Sequence, residues 1–189
     1  MVKRQPASLK VRALQWLAQR EHSRSELRER LLRLAVRAHE PDDAGDAPDG
    51  QPVAIAAGAA DPRTAEREID TLLDWLAEHR YLSDARFVES RLNARRARFG
   101  HLRIEREISR HGLAPDAEQL RELRATEYER ALAVWRRKFG SAAPATEASA
   151  RLRQMRFLAG RGFAQDVIRR VLRQSGLVDD LAEGPDPAG

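Results

Sequence analysis

The chain has 189 residues, no cysteine and a formal net charge of +5, a length typical of one compact domain or a few small repeated units. The missing cysteine excludes disulfides, zinc–thiolate sites and thiol catalysis. Segments 38–62 and 179–189 hold ten acids and no Lys or Arg, which leaves 34 bases against 19 acids elsewhere. A basic body with acidic segments suggests an anionic partner such as nucleic acid, and a generically basic protein is the alternative.

The first helical signal is a capping box. Ser23 precedes Glu26 by three residues, and Leu27 then opens an apolar stripe that continues through Leu31, Leu34 and Ala35. The cap explains Ser23 and Glu26 without catalysis. We do not interpret His22 and Ser23 as a catalytic pair, because no acid is placed to orient His22 and no Gly-x-Ser-x-Gly elbow is present.

Residues 39–62 are rich in Pro, Gly, Ala and Asp, a composition that predicts a disordered acidic insertion. Helical periodicity returns directly after it. Apolar stripes at helical spacing predict further helices and an all-α fold; they are Ile69/Leu72/Leu73/Leu76/Ala77, Tyr128/Ala131/Leu132/Trp135/Phe139, Ala148/Leu152/Met155/Ala159 and Ile168/Val171/Leu172.

Two short segments recur along the chain. "RHGLAPD" (110–116) and "GRGFAQD" (160–166) lie 50 residues apart, and "RRARFG" (95–100) and "WRRKFG" (135–140) lie 40 apart. Gly112 and Gly162 are predicted to be left-handed helix caps, each followed by an apolar contact. We predict three tandem three-helix repeats: repeat 1 at 7–82, repeat 2 at 83–125 and repeat 3 at 126–178, with a disordered tail at 179–189.

Arginines repeat at helical spacing on four predicted helices, the fourth, fifth, eighth and ninth. Arg91, Arg95 and Arg98 are assigned to one face of the fourth helix, in a stretch (91–103) that has five Arg and no acid. This face is the predicted central contact, and a solvated polar face is the alternative. The full set of candidate contact residues is Arg91, Arg95, Arg96, Arg98, Arg103, Arg106, Arg110, Arg169, Arg170 and Arg173.

No enzymatic site is predicted. The five histidines have no metal-ligand spacing, and no glycine-rich phosphate loop is present, so we expect no catalytic residues, no metal and no cofactor. No apolar run approaches the length of a membrane span, and the first residues lack a secretory signal. We therefore expect a cytoplasmic protein without membrane contact.

Three blocks in this order resemble the RecX family of bacterial recombination regulators: "REHSRSEL" (20–27), "YLSDARF" (81–87) and "ARFGHLRIEREISRHGL" (97–113). The resemblance covers roughly residues 9 to 176. It implies helix-turn-helix-like repeats in an elongated, curved, non-enzymatic molecule, which we expect to be a monomer. It also implies binding to the RecA recombinase filament and modulation, mainly inhibition, of its recombinase, ATPase and coprotease activities in DNA repair and the SOS response.

Two other functions stay open from the residues alone. The first is a helix-turn-helix transcriptional regulator, which would need a recognition helix and usually a dimer interface or a ligand-sensing domain. The second is a helical-repeat scaffold for protein interactions. The sequence also leaves open whether single- or double-stranded DNA binds, and which arginines meet protein rather than phosphate.

Overall fold

The computed structural model describes residues 7–37, 53–54, 62–140 and 148–174, and most of these residues are helical, as predicted. Two short strands, β1 (Ala7–Ser8) and β2 (Val53–Ala54), pair in parallel. The helices are α1 (Leu9–Gln19), α2 (Arg24–Arg37), α3 (Pro62–Glu78), α4 (Asp84–Arg95), α5 (His101–Ser109), α6 (Ala117–Ala125), α7 (Glu127–Phe139), α8 (Ala148–Gly160) and α9 (Gln165–Gln174).

The predicted acidic insertion is described at only two places: β2 and the first residue of α3, Pro62. The rest of the insertion and the predicted tail at 179–189 lie outside the described residues. The chain divides into two compact units, 1–87 and 88–189, with the division inside α4. The boundaries of the three predicted repeats remain a prediction.

The core of the N-terminal unit joins α1, α2 and α3. The predicted stripe of α2 is buried at Leu27, Leu31 and Ala35, and that of α3 at Ile69, Leu73 and Leu76. Ala77 of the predicted stripe is exposed instead. α1 adds Ala13 and Trp16, and Leu82 closes the cluster after α3.

The core of the C-terminal unit is formed by α7, α8 and α9. The predicted stripes of α7 and α9 are confirmed by buried Ala131, Ile168, Val171 and Leu172.

The predicted stripe of α8 is wrong. Leu152 is 48% exposed, and the buried residues of that helix are Gln154 and Leu158. Gln154 can lie inside because its side-chain carbonyl oxygen accepts a hydrogen bond from Trp135 Nε1 at 2.9 Å. A buried polar group costs little once it is hydrogen-bonded, so this contact lets Gln154 share the buried face of α8 with Leu158.

Left-handed residues end three of the helices. Gly112 and Gly162 have φ values of 73° and 79°, as predicted for helix caps. Phe163, which follows the second of these glycines, is buried in the core. Arg80 occupies the same conformation after α3 with φ of 61°. This conformation is uncommon for a side chain larger than glycine, and here the Tyr81 N–H closes the cap onto the Leu76 carbonyl at 2.9 Å.

Candidate functional site

Two of the sequence blocks described above meet in the N-terminal unit. The predicted cap at Ser23 is confirmed, since its Oγ accepts from the Glu26 N–H at 3.1 Å. The Arg24 N–H, in the same helix terminus, donates to the Asp84 carboxylate at 2.8 Å. Arg86 Nε donates to Glu21 at 2.9 Å. "REHSRSEL" and "YLSDARF" therefore form one hydrogen-bonded joint, which stabilises the fold.

His22 lies inside this joint and is 1% exposed. The expectation that no acid lies near His22 is wrong, because its Nδ1 is 3.3 Å from the Glu26 carboxylate at i+4. The same carboxylate also receives the Arg20 guanidinium. Burial and the positive charges of Arg20 and Arg30 lower the pKa of His22, and these effects outweigh the opposing attraction of Glu26. The side chain is enclosed and holds a helix terminus, which supports a structural role.

In the C-terminal unit, the turn before α5 packs backbone to backbone on the turn after α8. The Gly100 N–H donates to the Arg161 carbonyl at 3.0 Å. A Cβ on Gly100 would lie 2.1 Å from the Gly162 carbonyl oxygen, so no larger residue fits. Arg103 spans the same junction, with Nη1 donating to the Gly160 carbonyl at 3.2 Å.

A buried carboxylate and a half-buried arginine stabilise this junction from α7. Glu127 is 2% exposed and accepts from the His101 N–H at 3.0 Å while it contacts His101 Nδ1 at 2.6 Å. Arg130 donates to the carbonyls of Arg96, Phe99 and Leu123 at 2.6–2.8 Å. Burial lowers the pKa of Arg130, but three carbonyl acceptors hold its guanidinium in place.

Three of the ten candidate arginines are engaged in ion pairs within the unit. Arg95 and Arg103 share Glu107, with Nε–carboxylate distances of 3.0 and 3.3 Å. Arg96 reaches Glu122 at 3.4 Å.

The assignment of Arg98 to the fourth helix is wrong, because α4 ends at Arg95 and the Arg98 N–H donates to the Arg95 carbonyl in the following turn. The chain leaves the helix there to bring Gly100 onto the turn after α8. Arg91 is half-buried on α4 and Arg106 is exposed on α5, as predicted. Arg110, predicted on the fifth helix, is instead the exposed C-cap residue after α5, which ends at Ser109. Arg169, Arg170 and Arg173 are exposed on α9, with Arg170 lying 3.9 Å from the Tyr128 ring centroid.

Arg98 lines a cleft of about 480 Å³ within the C-terminal unit, which we call the basic cleft. Its other lining residues are Phe99, Val134, Arg137, Lys138, Phe157 and Arg161, so the described part of the chain contributes four cations and no acid to its walls. The Arg161 guanidinium lies 4.4 Å from the Phe157 ring centroid, which holds it against the wall. The arrangement can attract and hold an anion.

Sequence reasoning missed Arg137, Lys138 and Arg161 as site residues. A usable signal was present in the repeat of "RRARFG" as "WRRKFG". Alignment of the two segments places Lys138 on Arg98, and both line the basic cleft. Arg161 lies in the other repeated pair, within "GRGFAQD". Both internal repeats therefore contribute residues to the basic cleft.

Within the residues that the structure describes, no cluster of three or more His, Asp or Glu could hold a metal ion. None of the described helices has the length and apolar character needed to cross a membrane.

Comparison with known proteins agrees with this architecture. Residues 125–172 match the family model of the third three-helix domain of RecX. Regulatory protein RecX of Ralstonia nicotianae is 38% identical over 180 residues, 94% of each chain. That of Herbaspirillum seropedicae is 40% identical over 179 residues, 94% of this chain and 97% of its own.

The fold has a counterpart among solved structures. The crystal structure of RecX from Lactobacillus salivarius aligns with a TM-score of 0.53 over 90% of this chain and 96% of its own, at 13% identity. Identity at that level shows the fold alone, and the closer sequence relatives show the family. From its sequence blocks, its helical units and these relatives, we conclude that the chain belongs to the RecX family.

Proposed function

We propose that this protein binds the RecA nucleoprotein filament and modulates, mainly inhibits, its recombinase, ATPase and coprotease activities. Relatives named regulatory protein RecX, which match 94% of the chain, carry the proposal. The filament combines protein with DNA, and a polyanion attracts a clustered basic surface over long range. The proposal involves no catalytic step by this chain.

The exposed arginines of the C-terminal unit supply the contact surface in this proposal. Arg98, Arg106 and Arg110 are exposed, and none forms an ion pair with another described residue. Arg95 differs because it pairs with Glu107. Replacing Arg95 would break an internal ion pair as well as remove a charge, so its loss would not separate binding from folding.

The test is a RecA ATPase assay on single-stranded DNA, with co-sedimentation of the protein with the filament. Reversal of Arg98, Arg106 and Arg110 to Glu should abolish inhibition and co-sedimentation while circular dichroism stays unchanged. Reversal of Arg169, Arg170 and Arg173 should do less, because the terminal one of the three predicted repeats has fewer neighbours that act with it. Full inhibition by the folded Arg98/Arg106/Arg110 variant would show that these arginines are only a solvated face.

A further inference from the structure

We propose that the basic cleft is a binding site for the phosphodiester backbone of single-stranded nucleic acid. The proposal rests on the proposed function for its setting and deepens it, because it states which component of a nucleoprotein filament this surface meets. The key residues are Arg98, Arg137, Lys138 and Arg161.

The charges that line the basic cleft favour an anionic ligand. Among the residues that the structure describes, no carboxylate lies within ion-pair distance of any of these four cations. Neighbouring Arg95, Arg96 and Arg103 all have such a partner. Four like charges around one cleft repel one another, and an anion that enters the cleft relieves the repulsion.

The guanidinium of Arg161 is preorganised for binding. Arg161 Nε is buried and has no hydrogen-bond partner among the described residues, while its guanidinium stacks on Phe157. Phe157 is held edge-on by Phe139 at a centroid distance of 5.2 Å. The Arg161 backbone is fixed by the Gly100 N–H. A guanidinium immobilised before binding loses little conformational entropy when it meets a phosphate.

A nucleic-acid strand suits the basic cleft better than an acidic protein surface does. A single strand presents a negative charge at every nucleotide, whereas the carboxylates of a folded surface are interspersed with bases. The cleft also has apolar walls, Phe99 and Phe157, which suit the sugars and base faces of a strand. A flexible strand can enter a concave site, and a stiff duplex would contact only its rim.

The experiment measures binding of a fluorescent oligothymidylate by anisotropy, without RecA, at several salt concentrations. The cleft variant carries Arg137→Gln, Lys138→Gln and Arg161→Gln. The matched control carries Arg136→Gln, Arg153→Gln and Arg156→Gln, three exposed arginines that belong neither to the cleft lining nor to the proposed contact surface, and so it removes the same charge elsewhere. We expect the salt slope of the cleft variant to be shallower by about 2, since each lost single-strand contact contributes about 0.7. The ratio of wild-type affinity to cleft-variant affinity should then fall about 20-fold as salt rises from about 50 to about 200 mM.

Arg161 is partly buried, so a second variant with only Arg137→Gln and Lys138→Gln, both exposed, tests the cleft without disturbing packing. The salt slope of this double variant should be shallower than that of wild type by about two-thirds of the change expected for the triple variant. Equal losses in the cleft and control variants would overturn the proposal, since they would indicate a diffuse basic surface. Competition by poly-glutamate as strong as by oligothymidylate at equal charge would also overturn it. A cleft variant that loses RecA inhibition but binds oligothymidylate as wild type does would reject the cleft as a nucleic-acid site. The proposed function would still stand.

Discussion

Gly100 and Gly162 meet through backbone atoms alone: a Cβ on Gly100 would lie 2.1 Å from the Gly162 carbonyl oxygen. This contact joins the turn that carries Arg98 to the turn that carries Arg161, and so it places two walls of the basic cleft side by side. The glycine of the block "ARFGHLR" is therefore required for close approach of two turns.

Gly100→Ala should destabilise the C-terminal unit by roughly 1–3 kcal/mol, the usual cost of forcing an atom into a packed contact. Thermal denaturation measures the change. Gly160→Ala is the matched control, because a Cβ there meets no atom within 4 Å at the end of α8, and it should leave stability unchanged or slightly raised. Equal melting temperatures for wild type and Gly100→Ala would contradict the close contact.

Glu127→Ala should lower the free energy of unfolding by about 1–3 kcal/mol, because it removes the acceptor for the buried His101 N–H. Glu129 is exposed on the same helix, so Glu129→Ala controls for loss of a carboxylate from the first turn of α7. Urea denaturation compares the two. A Glu129→Ala variant that is the less stable of the pair would reject this role for Glu127.

Ser23→Ala should lower stability by about 1 kcal/mol, the usual effect of losing an N-cap acceptor. RecA inhibition should persist as long as the variant is folded. Ser90→Ala, at an exposed position of α4, is the control. An unchanged melting temperature combined with lost inhibition would show that Ser23 acts in function and not in capping.

His22 should make the protein less stable in mild acid. Its pKa in the folded protein lies below the ordinary value of 6.5, so the unfolded chain binds the proton first as pH falls. The stability of the folded protein is therefore retained above pH 6.5, and it declines as the pH falls from 6.5 to the lower pKa of His22 in the folded state. Denaturant midpoints from pH 7.5 to 5.5 should fall less steeply for His22→Gln than for wild type. Parallel pH profiles would exclude His22 as the titrating group.

The sequence alone determined the helical class and several helix ends. Leu27 and Leu31 repeat at helical spacing, and that period dictates which face is buried whatever the partner helix. Ser23 Oγ accepts from the Glu26 N–H three residues further on, and Gly162 adopts a left-handed conformation that local sterics allow for glycine. Such features depend on residues a few positions apart, so a sequence shows them directly.

Tertiary structure decided the face of α8, the position of Arg98 and the composition of the basic cleft. Gln154 is buried because Trp135, 19 residues away, supplies a hydrogen bond that no apolar period reveals. Arg98 leaves α4 because Gly100 must reach a turn some 60 residues further on. The charge pattern of the sequence predicted a basic surface, but only the folded chain separates Arg95, held by Glu107, from the cations that face the cleft. Which charges remain available depends on contacts between distant residues, and those contacts form only when the chain folds.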